Sequence, residues 1–306
     1  MKTSRMLVCV SFSLLCAALS PAFGQGNLRY SITVSKFENK ANWTGQWDLG
    51  HAWGEILTDS LQQTGRFIVL GEADMRNEAM REQDLVDSGR MAGGKKAPKK
   101  GNMTPAQLLV KGAITHVQQS TTGGGGGLGF RGIRLGGGTD SAEINVTIYL
   151  VDSQTGQVKG SKSIIGKAGR TGLSLGYVGN ALGGLTGDLA GFKKDNVGKA
   201  TADAVNQTVE YLIAQLGSIP WQGTVILAKP DKIIINRGTR EGVAVGQVFD
   251  VGSVEVLTDP DTGEVLDEEM KKAGQIRVTT VKEKIATCEP VSGSGFEKGM
   301  SVHPAR

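Results

Sequence analysis

Hydrophobic spacing divides the chain into a mixed first part and an all-β last part. Residues 29–37 (RYSITVSKF) alternate well enough for a strand, with Ile32 and Val34 turned toward a core. Residues 49–63 change period: Leu49, Ile56, Leu57 and Leu61 share one helical face, and Gly65 ends the helix. A short buried strand follows at 66–70 (RFIVL), then a charged, exposed helix at 73–87 and a basic loop at 88–103. Thr104 and Pro105 predict a short helix through Leu109, threonine as cap and proline in the first turn. Strands are expected at 110–118, 142–152 and 158–165, the second carrying Ile144, Val146, Ile148 and Leu150 in strict alternation. A closing helix at 199–216 is expected to bury Ala202, Val205, Val209, Leu212 and Ile213.

After a linker at 217–222 the texture changes. Strands are expected at 223–228, 232–236, 247–251, 255–257, 274–281 and 285–290, with turns at Pro230, Gly238, Gly242, Gly246, residues 259–263 and Gly299. Short strands at such spacing predict a small β-barrel of SH3-like type over 223–306.

Glycine breaks this order in two places. Ten of the 45 glycines fall within 123–138 and ten more within 160–191. These islands read as insertions at 120–141 and 160–192 in an α/β domain spanning 25–216. Leu128, Phe130, Ile133 and Leu135 are the apolar positions of the first. The second offers Leu173, Leu175 and Tyr177 in strand alternation, then Gly176, Gly179, Gly183 and Gly187 at helical spacing. Three readings fit: paired membrane strands, self-associating loops, or close-packed helices.

The first 24 residues read as a cleavable export signal. Lys2 and Arg5 precede an apolar run from Met6 to Leu19, and Ala22 and Gly24 stand where a signal peptidase would cut before Gln25. Cys9 and Cys16 leave with this segment, so Cys288 alone remains and no internal disulfide can form. Lys2 and Arg5 leave too, which brings 34 basic residues close to the 30 acidic ones and argues against a nucleic-acid partner.

No catalytic or cofactor constellation stands out, and no enzyme is expected. Gly127, Gly129 and Gly132 match a dinucleotide fingerprint as a string but lack the helix it needs. His51, His116 and His303 are spread over different elements, and no metal site is expected. Asp259, Asp261 and Gly263 read as a hairpin turn. Three tryptophans, Trp43, Trp47 and Trp53, fall close together; core packing would account for one or two of them, and an aromatic partner surface is the other reading.

The segment LTDSLQQTGRFIVLGEADMRNEAMREQDLVDSGR at 57–90 resembles the signature of CsgG/HfaB-type proteins. The resemblance continues through LLVKGAITHV and AEINVTIYLVDSQTGQVKGS to the helix at 197–205, and covers about residues 30–216. It implies a CsgG-like α/β sandwich whose two insertions are membrane β-hairpins, four strands per subunit closed into one barrel by a ring of copies. It implies an envelope assembly or curli-like secretion component in the periplasm or outer membrane. Its partners would be its own copies, an exported protein substrate, and envelope or appendage proteins. A soluble periplasmic adaptor is the alternative. The signal differs from a lipoprotein signal of the kind the curli channel uses. IIINRGTREGVAVGQVFDV and DPDTGEVL resemble the C-terminal domain of the flagellar protein FlgT.

Overall fold

The computed structural model describes residues 28–45, 48–120, 141–168, 196–263 and 265–305. Strand β1 (Tyr30–Val34) is buried along its whole length, so it can only lie inside a sheet. It pairs in parallel with β3 (Phe67–Val69) on one side and β4 (Leu108–Ser120) on the other. Antiparallel β5 (Ser141–Asp152) and β6 (Val158–Lys167) complete the order β3-β1-β4-β5-β6, while the two-residue β2 (Glu38–Asn39) adds to β4. Among the described residues strand β6 pairs only with β5 and forms one edge; Lys159, Lys162 and Lys167 lie along it, exposed.

Helices α1 (Leu49–Thr64) and α3 (Asn196–Gln215) touch each other and cover one face of this sheet. Asp48 caps α1 by accepting from the His51 N–H, and Gly65 closes it in the left-handed region at φ 62°. The expected helix at 49–63 is thus present, with Ala52 and Trp53 added to its buried face. On α3 the expected Ala202 and Ile213 are only half-buried. The buried row is Val197, Ala200, Thr201, Ala204, Val205, Thr208, Val209 and Leu212. Two threonines are admitted because Thr201 and Thr208 each donate to the carbonyl four residues back, which leaves no hydroxyl unpaired.

Helix α2 (Ala73–Asp87) buries no residue, as its charged sequence predicts. The helix expected from Thr104 does not form. The Gln107 N–H donates to the Ser31 carbonyl, and the Ser31 hydroxyl donates to the Pro105 carbonyl. Pairing with β1 therefore takes the backbone groups a helical turn would need, and β4 starts at Leu108.

Beyond a 3-10 turn (Leu216–Ser218), six strands close an antiparallel barrel in the order β10-β11-β8-β7-β12-β9. They are β7 (Gly223–Lys229), β8 (Lys232–Ile235), β9 (Val248–Thr258), β10 (Val265–Val281), β11 (Ala286–Gly293) and β12 (Ser301–Pro304). Val225, Ile233, Ile235, Phe249, Val251, Ile276 and Cys288 fill it. The two strands expected at 247–251 and 255–257 are one strand. Gly252 is no break: a Cβ there would lie 2.3 Å from the Lys271 carbonyl oxygen, so it marks close backbone approach. Strand β12 was not foreseen. The turn at 259–263 joins β9 to β10, with Asp259 accepting from the Asp261 and Thr262 N–H groups.

Barrel and sheet share one continuous core. Tyr30 donates its hydroxyl to the Ile219 carbonyl at 2.6 Å, and burial pushes its pKa to about 12. The Arg29 N–H donates to the Glu241 carbonyl, and Arg240 donates to the Thr104 hydroxyl. Trp221 stacks on Phe249, ring centroids 5.2 Å apart.

Burial also pushes the Cys288 thiol up to about 12. A thiol-specific reagent at mildly alkaline pH is expected to leave Cys288 of the native chain untouched and to modify it once denaturant is added. Mass spectrometry reads both states.

Candidate functional site

Both glycine islands are rooted at one end of the sheet. Past a register shift between Ile114 and His116, the β4–β5 ladder runs on to its end, where Ser120 faces Ser141, so the chain leaves and returns on adjacent strands across residues 121–140. On the next strand, Lys167 faces Glu143, two residues from that root. Residues 160–167 of the second expected insertion are β6 itself, so what leaves the sheet there begins after Ala168 and returns at Asn196. Neighbouring strands lie about 4.8 Å apart, so three of the four root positions occupy the width of three strands.

The fourth is set by the way α3 meets β6. Gly166 sits so close to the helix that a Cβ would lie 2.1 Å from the Ala200 carbonyl oxygen and 2.7 Å from the Ala204 methyl. Asp203, buried on the same turn, accepts from the Lys167 N–H at 3.0 Å and from the Gln207 amide at 3.0 Å. Gln207 in turn donates to the Ile165 carbonyl. Ala168 donates to the Ala142 carbonyl at 2.8 Å, and Lys167 pairs with Glu143 at 3.1 Å. Gly166, Asp203 and Gln207 were not singled out from the sequence. An acidic residue inside the apolar row of a closing helix was the signal that could have found Asp203.

The expected insertion residues Leu128, Phe130, Ile133, Leu135, Leu173, Leu175, Tyr177, Gly176, Gly179, Gly183 and Gly187 lie outside the described residues. So does Trp47.

The expected tryptophan surface needs correction at Trp53. That side chain is fully buried, its indole 5.5 Å from the Phe37 ring, and it belongs to the core. Gly112 makes this possible, since a Cβ there would lie 2.3 Å from the Phe37 ring. The helical face that carries Leu49, Ile56 and Leu57 also carries Trp53, and nothing in the local spacing points it outward. Trp43 is half-buried. Asn39 holds it by donating to the Trp43 carbonyl at 2.8 Å. It borders an open hollow of about 640 Å³ with Lys36, Phe37, Glu38, Asn39, Asp48 and Leu49. Asp48 serves both this hollow and α1. The His51 N–H, then Lys36 at 3.0 Å, lower its pKa below the usual carboxylate range.

His51, His116 and His303 fall on α1, β4 and β12. Among the described residues no group of three acidic, histidine or cysteine side chains could hold a metal. No helix among them is long and apolar enough to cross a membrane, which says nothing of membrane strands.

The chain is thus an α/β sheet with two long excursions from one end, joined to a small barrel. The family model described as "Curli production assembly/transport component CsgG" matches residues 21–224, and the chain belongs to this family. The match ends where the barrel begins. No curated protein matches the sequence. Among solved structures, the chain is similar to the PelC dodecamer of Paraburkholderia phytofirmans at 15% identity and TM-score 0.32, covering 63% of this chain and 91% of that one. A hypothetical protein of Chlamydia trachomatis gives 10% identity and TM-score 0.36 over 62% and 99%. A lipoprotein of Neisseria meningitidis gives 14% and 0.25 over 62% and 99%. These scores are too low to bear on this chain's assembly.

Two substitutions test the site. Asp203→Ala strands the Lys167 N–H and is expected to cost about 1–3 kcal/mol. The loss appears as a lower melting temperature with faster hydrogen exchange in the peptide holding residues 160–168. Asp48→Ala is expected to cost about 1 kcal/mol near neutral pH. Because the folded pKa of Asp48 is depressed, its contribution is present above the ordinary carboxylate pKa and is lost as pH falls through the folded one. Denaturant titrations of the two chains should therefore converge in acid.

Proposed function

We propose that this chain is an oligomeric export component of the cell envelope, whose two glycine-rich insertions pair as strands in an outer-membrane pore. The observation that supports this reading is the common root of the insertions, with Ser120 opposite Ser141 and Lys167 opposite Glu143 on adjacent antiparallel strands. Strands leaving a sheet in register can continue as a ribbon without a change of direction. A membrane strand takes about 9–11 residues, and residues 121–140 hold two of them with a turn. Four strands from one copy would leave open edges in lipid, so the pore requires a ring of copies. The export signal at 1–24 and passage of a protein cargo belong to the same proposal, as does kinship of the barrel at 223–306 with the FlgT C-terminal domain and its SH3-like class.

A soluble periplasmic adaptor is the second reading. The half-buried Trp43 beside its hollow favours it, because an aromatic edge next to open space suits an envelope or appendage protein.

Fractionation and conductance separate the two. Residues 121–140 can be replaced by Asn-Gly, since Ser120 and Ser141 already stand opposite each other as the ends of a two-residue hairpin. The intact chain is expected in the outer-membrane fraction and to conduct in planar bilayers, and the shortened chain to fold but not conduct. Recovery of the intact chain solely as a soluble monomer after osmotic shock overturns the pore and leaves the adaptor.

A further inference from the structure

Strands β9 and β10 continue past the barrel as a two-stranded ribbon. Barrel partners leave β9 at Gly252 and β10 at Gly274, and beyond them residues 253–258 pair only with 265–271. A ribbon of two strands with both faces in water is marginal by itself. This one also exposes Val256, Leu257, Val265 and Leu266. Its charge is one-sided. Glu255 and Glu269 face each other directly across the ladder, a destabilising pairing. Lys271 bonds Glu255, which leaves Glu269 with Asp267 and Glu268 uncompensated.

The complementary surface lies elsewhere on the chain. The loop at 88–103 carries Arg90, Lys95, Lys96, Lys99 and Lys100 with no acidic residue, and exposes Met91. Lys100 is held by Asp84 and Asp87 of α2. Among the described residues no ion pair involves the other four cations. The two surfaces do not pair within one chain. The loop leads into Thr104, whose hydroxyl accepts from Arg240 on the turn between β8 and β9. Strand β9 follows that turn and runs from Val248 to Thr258, about 30 Å, before the ribbon turns.

We propose that the acidic ribbon of one copy docks on the basic 88–103 loop of a second copy, head to tail. The contact is heterologous, so it propagates into a ring or a filament rather than stopping at a dimer. This rests on the oligomeric reading above and names a face for it.

Charge reversal tests the contact on the full mature chain. One variant carries Asp267→Lys, Glu268→Lys and Glu269→Lys; the other carries Lys95→Glu, Lys96→Glu and Lys99→Glu. All six side chains are exposed, so the loop variant should melt like the parent, and the ribbon variant no lower, because Glu269→Lys removes the like-charge pairing with Glu255. In sedimentation velocity each variant alone, with like charges on both faces, is expected to assemble at least about tenfold more weakly. An equimolar mixture restores assembly, because each ribbon then meets an opposite loop. If both variants keep the parent's mass, or the mixture stays dissociated, this contact is overturned while the oligomeric reading stands. A parent chain monomeric at every concentration overturns both. If the loop variant keeps its mass but loses binding to phosphatidylglycerol vesicles, the loop faces lipid and the contact is overturned.

Discussion

Helix α3 lies so close on β6 that two positions of the strand leave no room for a side chain. A Cβ at Gly166 would meet the Ala200 carbonyl oxygen, and a Cβ at Gly160 would lie 2.5 Å from the Tyr211 hydroxyl. These two approaches, with the Asp203 carboxylate bonded to the Lys167 N–H, fix the helix at both ends of the strand. The buried row of α3 then closes over β5 and against α1. Because a buried side chain cannot shift without opening a void, the same contact sets where the chain leaves the sheet after Ala168 and where it re-enters at Asn196.

That geometry divides the labour between the halves of the chain. The covered face of the sheet is apolar, from Ile144 to Leu150, while Lys111, Thr147, Tyr149 and Ser163 alternate with these onto the other face. The barrel joins the same core through Trp221 and Tyr30. Family membership covers the sheet and its helices, and the barrel is an addition that follows residue 224.

Period-two and helical spacing made most elements legible: α1, the exposed α2, β5 and the barrel strands β7, β8 and β11 could be read directly. What escaped depends on partners distant in sequence. Thr104 and Pro105 carry the signs of a helix start, but Ser31, some 70 positions away, claims the backbone there. Thr201 and Thr208 read as polar and are buried, because a threonine in a helix can satisfy itself. Trp53 sits among aromatics that suggest a surface, yet Gly112 on β4 clears the space that takes the neighbouring Phe37 ring inward. Gly252 and Gly166 looked like punctuation and are sites of contact. The root of the two insertions was visible only as two glycine-rich stretches; their common origin is a matter of strand order.

The open edge of β6 bears on crowding. A strand edge offers unpaired amides and carbonyls to any similar edge nearby, and gathering many copies side by side raises that hazard. Lys159, Lys162 and Lys167 place three cations along this border, two of them drawn to Asp152 and Glu143 on β5 and the third over the Tyr211 ring. At one end of the border α3 closes it, where Asp203 takes the Lys167 N–H and Gln207 the Ile165 carbonyl. A similar edge brought alongside would find these groups already taken.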